Sequence, residues 1–116
     1  MTAPYALTRR ALLDLQDIYE YSLENWGEGR ALDYLDALYQ AFEQIAEKRY
    51  ASPLSDRSAP YLMAQAGSHL VICDTVPEGL VVLTIVHQMR NVEAIIGAIQ
   101  PDLSIAINAA RKSLKG

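Results

Sequence analysis

Between Arg57 and Arg90 the chain holds no lysine and no arginine. Nucleic-acid binding without sequence preference depends on cations that displace counterions from phosphates, so this stretch is a poor candidate and no direct DNA binding is expected. Cysteine is almost absent too. Cys73 stands alone, which excludes an intrachain disulfide and fits a reducing cytosol. Within an apolar strand it reads as a small buried hydrophobe rather than a reactive thiol. No Cys/His/Asp/Glu cluster has metal-ligand spacing and there is no glycine-rich phosphate loop, so neither metal nor cofactor is expected. Long apolar runs are missing as well. The tail from Val92 to Ala110 is interrupted by Glu93, Pro101 and Asp102, which argues against a membrane span. Arg9 and Arg10 lead into an acidic amphipathic segment, so no signal peptide is expected.

What remains is 51% hydrophobic residues over 116 positions, enough for one packed core and too few for two. The net charge of −4 is unevenly spread: residues 1–57 carry ten acids against six Lys/Arg, whereas 58–116 carry four of each. The strongest local signal runs from His69 to Arg90. Leu70 to Cys73 precede a Pro77-Glu78-Gly79 turn, and Leu80 to Val86 follow as a run rich in β-branched residues. Apart from Thr84 that second arm has no polar side chain to send to water, so it is expected as a central strand covered on both faces.

Taken in order, Pro4 to Leu7 is an expected edge strand and Thr8 a helix N-cap. From Arg9 to about Asn25, Ala11, Leu15, Ile18 and Ser22 fall at helical spacing, with Leu12 and Tyr19 widening the stripe and Asp14, Asp17, Glu20 and Glu24 mostly outside it. Gly27 and Gly29 break this helix. A second, from about Glu28 to Arg49, carries Leu35, Leu38, Phe42 and Ile45 along one side, and so short a link forces an antiparallel helical hairpin. Tyr50 to Pro60 reads as a loop and Tyr61 to Ala66 as a strand. Beyond Arg90 the pattern predicts two further helices. One ends before Pro101; the other is capped by Asp102 or Ser104, with Leu103, Ile107, Ala110 and Leu114 on one side and Arg111, Lys112 and Lys115 near its C-terminus.

Five short motifs occur in a fixed order: Leu7-Thr8-Arg9-Arg10-Ala11, Asp14-Leu15-x-Asp17-Ile18-x-x-Tyr21, Trp26-Gly27, Gly67-x-His69-x-Val71, and Ile85-Val86-His87-Gln88. Together they resemble the ParE branch of the ParE/RelE superfamily, the toxin halves of type II toxin–antitoxin pairs, also labelled plasmid stabilisation proteins. The resemblance implies an α+β fold: an N-terminal strand, an antiparallel two-helix hairpin packed on a mostly antiparallel sheet, and a C-terminal helical extension. Residues 1–92 then form the toxin domain and 93–116 its extension. It also implies a cytoplasmic protein neutralised by a cognate antitoxin, with DNA gyrase as a protein target bound rather than cleaved. In two places the chain departs from the family pattern. Leu62 stands where many members have arginine, and Cys73 and Asp74 stand where many have a Tyr, often followed by Arg.

The RelE branch, similar in fold, implies ribosome-dependent mRNA cleavage instead. That chemistry needs an acid, a base and cations at the phosphorane. His69 and His87 are the only histidines, and strands without Lys or Arg offer no such cation, so no catalytic residue is assigned and the binding reading is preferred. Expected partner contacts are Leu12 and Tyr19 on the first helix and Tyr61, His87, Gln88 and Arg90 at the sheet end. Arg90 has two candidate mates, a partner carboxylate and Glu93. His69 is read as a strand histidine with a structural hydrogen bond, and Trp26 as an aromatic anchor of the helical hairpin. A third reading is an interaction module that self-associates through Leu103, Ile107, Ala110 and Leu114.

Overall fold

A computed structural model describes residues 4–48, 52–53 and 61–115. The elements run β1 (Tyr5–Leu7), α1 (Arg9–Trp26), α2 (Glu28–Lys48), β2 (Ser52–Pro53), β3 (Leu62–Ala66), β4 (His69–Val76), β5 (Gly79–His87) and α3 (Val92–Lys115). The five strands form one sheet in the order β1-β5-β4-β3-β2, antiparallel except for β1, which pairs parallel with β5. The expected edge strand is therefore at an edge, and β5 lies inside with a neighbour on either side. The β2 dipeptide falls within the stretch read as a loop. The rest of 50–60 lies outside the described residues.

Thr8 ties the first helix to this sheet. Its Oγ1 accepts from the Ala11 N–H (3.1 Å), capping α1, while its hydroxyl donates to the Leu83 carbonyl of β5 (2.7 Å). Gly27 alone separates α1 from α2, so the helices fold back as a hairpin. Their apolar stripes cover one face of the sheet: Ala11, Leu15, Leu38, Phe42 and Ile45 pack with Val71, Cys73, Val82 and Ile85. A register shift between Ile72 and Cys73 lets Val82 and Ile85, three positions apart, both face this layer. At the opposite end of β5, Gly79 has φ +152, and a Cβ there would lie 2.4 Å from the Pro4 carbonyl oxygen. Only glycine allows the Leu80 N–H to reach that oxygen at 3.1 Å and seat β1.

The other face is covered by α3. Ile96, Leu103 and Ala110 are buried with Ala6, Tyr61, Ile72, Val81 and Leu83, and Ile99, Ile107 and Leu114 pack around them. Both faces of β5 are therefore covered, as its composition requires. The two helices expected beyond Arg90 are one: α3 runs through Pro101 without a break. Proline inside a helix costs about 3 kcal/mol. The stripe Ile96-Ile99-Leu103-Ile107-Ala110-Leu114 stays in phase across it, and each large aliphatic side chain buried returns about 1.5–3 kcal/mol, so packing outweighs the local penalty. The face carrying Leu103, Ile107, Ala110 and Leu114, from which self-association is expected, packs here on the chain's own sheet.

Two polar contacts fix the ends of α3. Asn91 caps it, its Oδ1 accepting from the Ala94 N–H at 3.1 Å. Arg111 grips Glu78 of the β4–β5 turn through two hydrogen bonds, Nε–Oε1 at 2.7 Å and Nη2–Oε2 at 3.0 Å. The sequence had offered Arg111 only the helix dipole as a partner.

Candidate functional site

At the open end of the β4–β5 hairpin lies a cleft of about 560 Å³. Its walls come from α1 (Arg10, Asp14, Asp17, Ile18, Tyr21, Ser22 and Trp26), from the strand ends (Ser68, His69, Ile85, Val86 and His87) and from the start of the C-terminal segment (Arg90 and Ile95). Antiparallel register pairs His69 with His87, whose rings meet edge to face with centroids 5.3 Å apart. The turn that positions His69 depends on glycine. Gly67 has φ +60, and a Cβ there would lie 2.8 Å from the Tyr34 hydroxyl of α2. With that space open, the Tyr34 hydroxyl accepts from the Ser68 N–H (3.1 Å) and bonds His69 Nδ1 at 2.6 Å.

Burial, followed by the neighbouring His87, lowers the pKa of His69 below its usual 6.5, so this ring is neutral at pH 7. The Met89 N–H donates to His87 Nδ1 at 3.2 Å, which places the proton of a neutral His87 on Nε2. On α1, Asp14 accepts from the Thr84 hydroxyl and from the Ile85 N–H (3.0 Å), and pairs with Arg10 at 3.5 Å. Trp26 makes edge-to-face contacts with Tyr21 and Tyr34 and is still 47% exposed, so it closes the hairpin tip while lining the cleft.

The partner contacts expected from the sequence separate into three groups. His87 and Arg90 meet in the cleft, and the exposed Gln88 beside them accepts from Gln65 Nε2 at 2.9 Å. Among the described residues Arg90 makes no ion pair with Glu93. Leu12, at 51% exposure, and the half-buried Tyr19 lie along α1 away from the cleft. Tyr61 belongs to neither group, which corrects its placement beside His87. The register Leu62↔Cys73 carries it toward the turn end of the hairpin, where it is buried under α3 with its pKa raised by burial and then by Asp74.

Three site residues were not visible in the sequence. Asp14 lies on the polar side of the α1 stripe and nothing in its spacing announces a bond to β5. Tyr34 has only a weak signal, a tyrosine among the acids of α2. Arg10 supplies a cation from α1, so the lack of basic residues in the strands does not leave the cleft without one.

The domain thus has three layers, helical hairpin, mixed sheet and α3, with the cleft at the open end of the β4–β5 hairpin. The family described as ParE toxin of type II toxin-antitoxin system, parDE, matches residues 5–92. Toxin ParE1 of Caulobacter vibrioides is 37% identical over 95 residues, covering 81% of this chain and 98% of that protein. Toxin ParE1 of Mycobacterium tuberculosis is 28% identical over 95 residues, covering 80% and 97%. Among solved structures, the chromosomal ParDE TA system from P. aeruginosa has a similar fold, with a TM-score of 0.64, 16% identity, and coverage of 74% of this chain and 96% of that one. The chain belongs to the ParE toxin family of type II toxin–antitoxin systems.

Proposed function

We propose that this toxin acts in the bacterial cytoplasm by binding a protein target, with DNA gyrase the first candidate, and that a cognate antitoxin neutralises it by folding onto the helical hairpin. One observation carries the reading: the outer side of the hairpin exposes Leu12, Leu13, Leu23 and Leu32 amid acids. Asp17, Glu20, Glu24, Glu28, Asp33, Asp36, Glu43 and Glu47 are all exposed on α1 and α2, against Arg9, Arg10 and Arg30. Exposed leucines grouped on one helical hairpin mark an interaction surface, and a ring of like charge selects the partner. The fitting partner segment is initially disordered, basic and amphipathic, with apolar anchors for the leucines. Leu12 and Tyr19 contact it in this reading, while His87, Gln88 and Arg90 meet the target or the far end of the antitoxin.

Induction of the chain without its adjoining gene tests this. Growth arrest, inhibited gyrase supercoiling and intact transcripts are the expected outcome, with growth restored by the co-expressed product of that gene. Normal growth with uninhibited gyrase would remove the gyrase target.

The cleft favours one second reading, a RelE-like endonuclease, because a neutral His69, His87, Arg10 and Arg90 share one space. Asp14 and Asp17 line the same cleft and oppose an entering phosphate, which is why binding is preferred. Ribosomal mRNA cleavage that disappears in His87→Ala would reverse that preference.

A further inference from the structure

The family match ends at Val92, the first residue of α3, and the Caulobacter and Mycobacterium relatives, shorter chains than this one, align over nearly their whole length. α3 thus lies outside the region this chain shares with the family. It is also the element that closes the second face of the sheet, where Ile72, Val81 and Leu83 are fully buried. Without a cover those side chains and Tyr61 would form an apolar surface continuous with the central strand, larger than a soluble monomer tolerates.

We propose that α3 is an in-chain cover of the sheet face opposite the helical hairpin, fixed there by its own anchors, so that a partner of this chain binds the helical hairpin and leaves α3 in place. The last clause rests on the antitoxin reading above; the first does not. Three features mark α3 as a fixed occupant. Asn91 caps its first turn, Arg111 holds Glu78 by a bidentate pair at the far end, and Leu103 is buried between them. The unbroken passage through Pro101 agrees, since the helix keeps its apolar stripe on the sheet where a break would have been cheapest. Partner recognition is thereby left to the hairpin layer, whose acids and exposed leucines set the chemistry of what binds, and to the cleft at the sheet end.

Hydrogen–deuterium exchange on the full chain, alone and mixed with the product of the adjoining small gene, decides this. In the free chain, amides from Ile96 to Ala110 should exchange within about tenfold of those in β5, the signature of one cooperative unit. Leu103→Ala should accelerate α3 and β5 together. On mixing, protection should rise in α1 and α2 and stay unchanged in α3. Exchange of α3 about a thousandfold faster than β5 in the free chain, or acceleration confined to α3 in Leu103→Ala, would overturn the in-chain cover. Loss of protection in α3 on complex formation would overturn its retention. No change anywhere on mixing would defeat the antitoxin reading and with it the retention clause, while the free-chain arm still decides the cover.

Discussion

The carboxylate of Asp14 on α1 accepts the hydroxyl of Thr84, the one polar side chain in the otherwise apolar run of β5 and itself fully buried. The same carboxylate oxygen takes the Ile85 N–H, next to the register shift where the β4–β5 ladder is locally disturbed. One side chain from the helix layer thus satisfies two donors that the sheet leaves over, and the α1–β5 contact is polar at its centre as well as apolar around it.

Asp14→Ala should therefore cost about 2–4 kcal/mol of folding stability, because two donors lose their acceptor at a site water reaches poorly. Thr84→Val, which removes one donor and keeps the shape, should cost about 1 kcal/mol or less. Urea unfolding of the two variants is the check. Equal losses would mean that the Ile85 N–H finds another acceptor.

His69 should give the stability a pH dependence of known sign. Its folded pKa is lowered below 6.5, by burial first and by His87 second, so the unfolded chain binds the extra proton between the folded value and 6.5. Stability contributed by this group is fully present above pH 6.5, declines as the pH falls toward the folded value, and levels off below it. His69→Gln, which retains an acceptor for Tyr34, should flatten that part of the profile. Urea midpoints at pH 8 and pH 5 in both proteins measure the difference, and parallel profiles would count against the assignment.

How much of this was legible in the sequence depends on the range of the interaction. The hairpin around Pro77-Glu78-Gly79, the Thr8 cap and the stripe Leu38-Phe42-Ile45 all follow from neighbours within a turn or a strand, where periodicity speaks directly. Asp14–Thr84 and Tyr34–His69 join residues far apart in the chain, and an acid on a helix's polar side looks the same whether it meets water or a buried hydroxyl. Tyr61 cannot be placed from the sequence, because strand ends are interchangeable until the register is known. At Pro101 the strong local rule predicts a stop, and the sheet beneath it is stronger.

Cys73 should behave as a reporter of unfolding. It has no exposed surface, and burial, then the neighbouring Asp74, pushes its thiol up to about 12, so almost no thiolate exists in the folded chain. A thiol reagent at pH 8 should label it only as fast as the sheet opens. Labelling of the native protein at the rate of a free thiol would show that β4 opens far more readily than its packing implies.

Pro101→Ala should stabilise the chain by about 2–2.5 kcal/mol. Alanine restores the missing helical N–H for the Gly97 carbonyl, a gain of about 3 kcal/mol in a helix interior, offset in part by a more flexible unfolded chain. A rise in thermal midpoint is the expected reading. A fall would show instead that the proline sets a bend by which α3 follows the sheet.

Leu12 and Leu23 separate the proposed docking surface from the fold itself. Both are exposed on α1, eleven positions apart and hence on one side of the helix, and neither belongs to the buried cluster beneath. Leu12→Glu and Leu23→Glu should change stability by no more than about 0.5 kcal/mol, as surface substitutions do. If a basic amphipathic antitoxin segment seats its apolar anchors there, each substitution should weaken binding by about tenfold or more, since removal of a central anchor commonly costs above 1 kcal/mol. Added acid beside existing acids makes the interpretation clean, because simple charge attraction to a basic partner would strengthen rather than weaken. Calorimetric titration with the product of the adjoining gene reads the binding, and urea unfolding reads the stability. Unchanged or tighter binding would move the antitoxin off the hairpin and toward the mouth of the cleft, where His87 and Arg90 would then be the next substitutions to weigh.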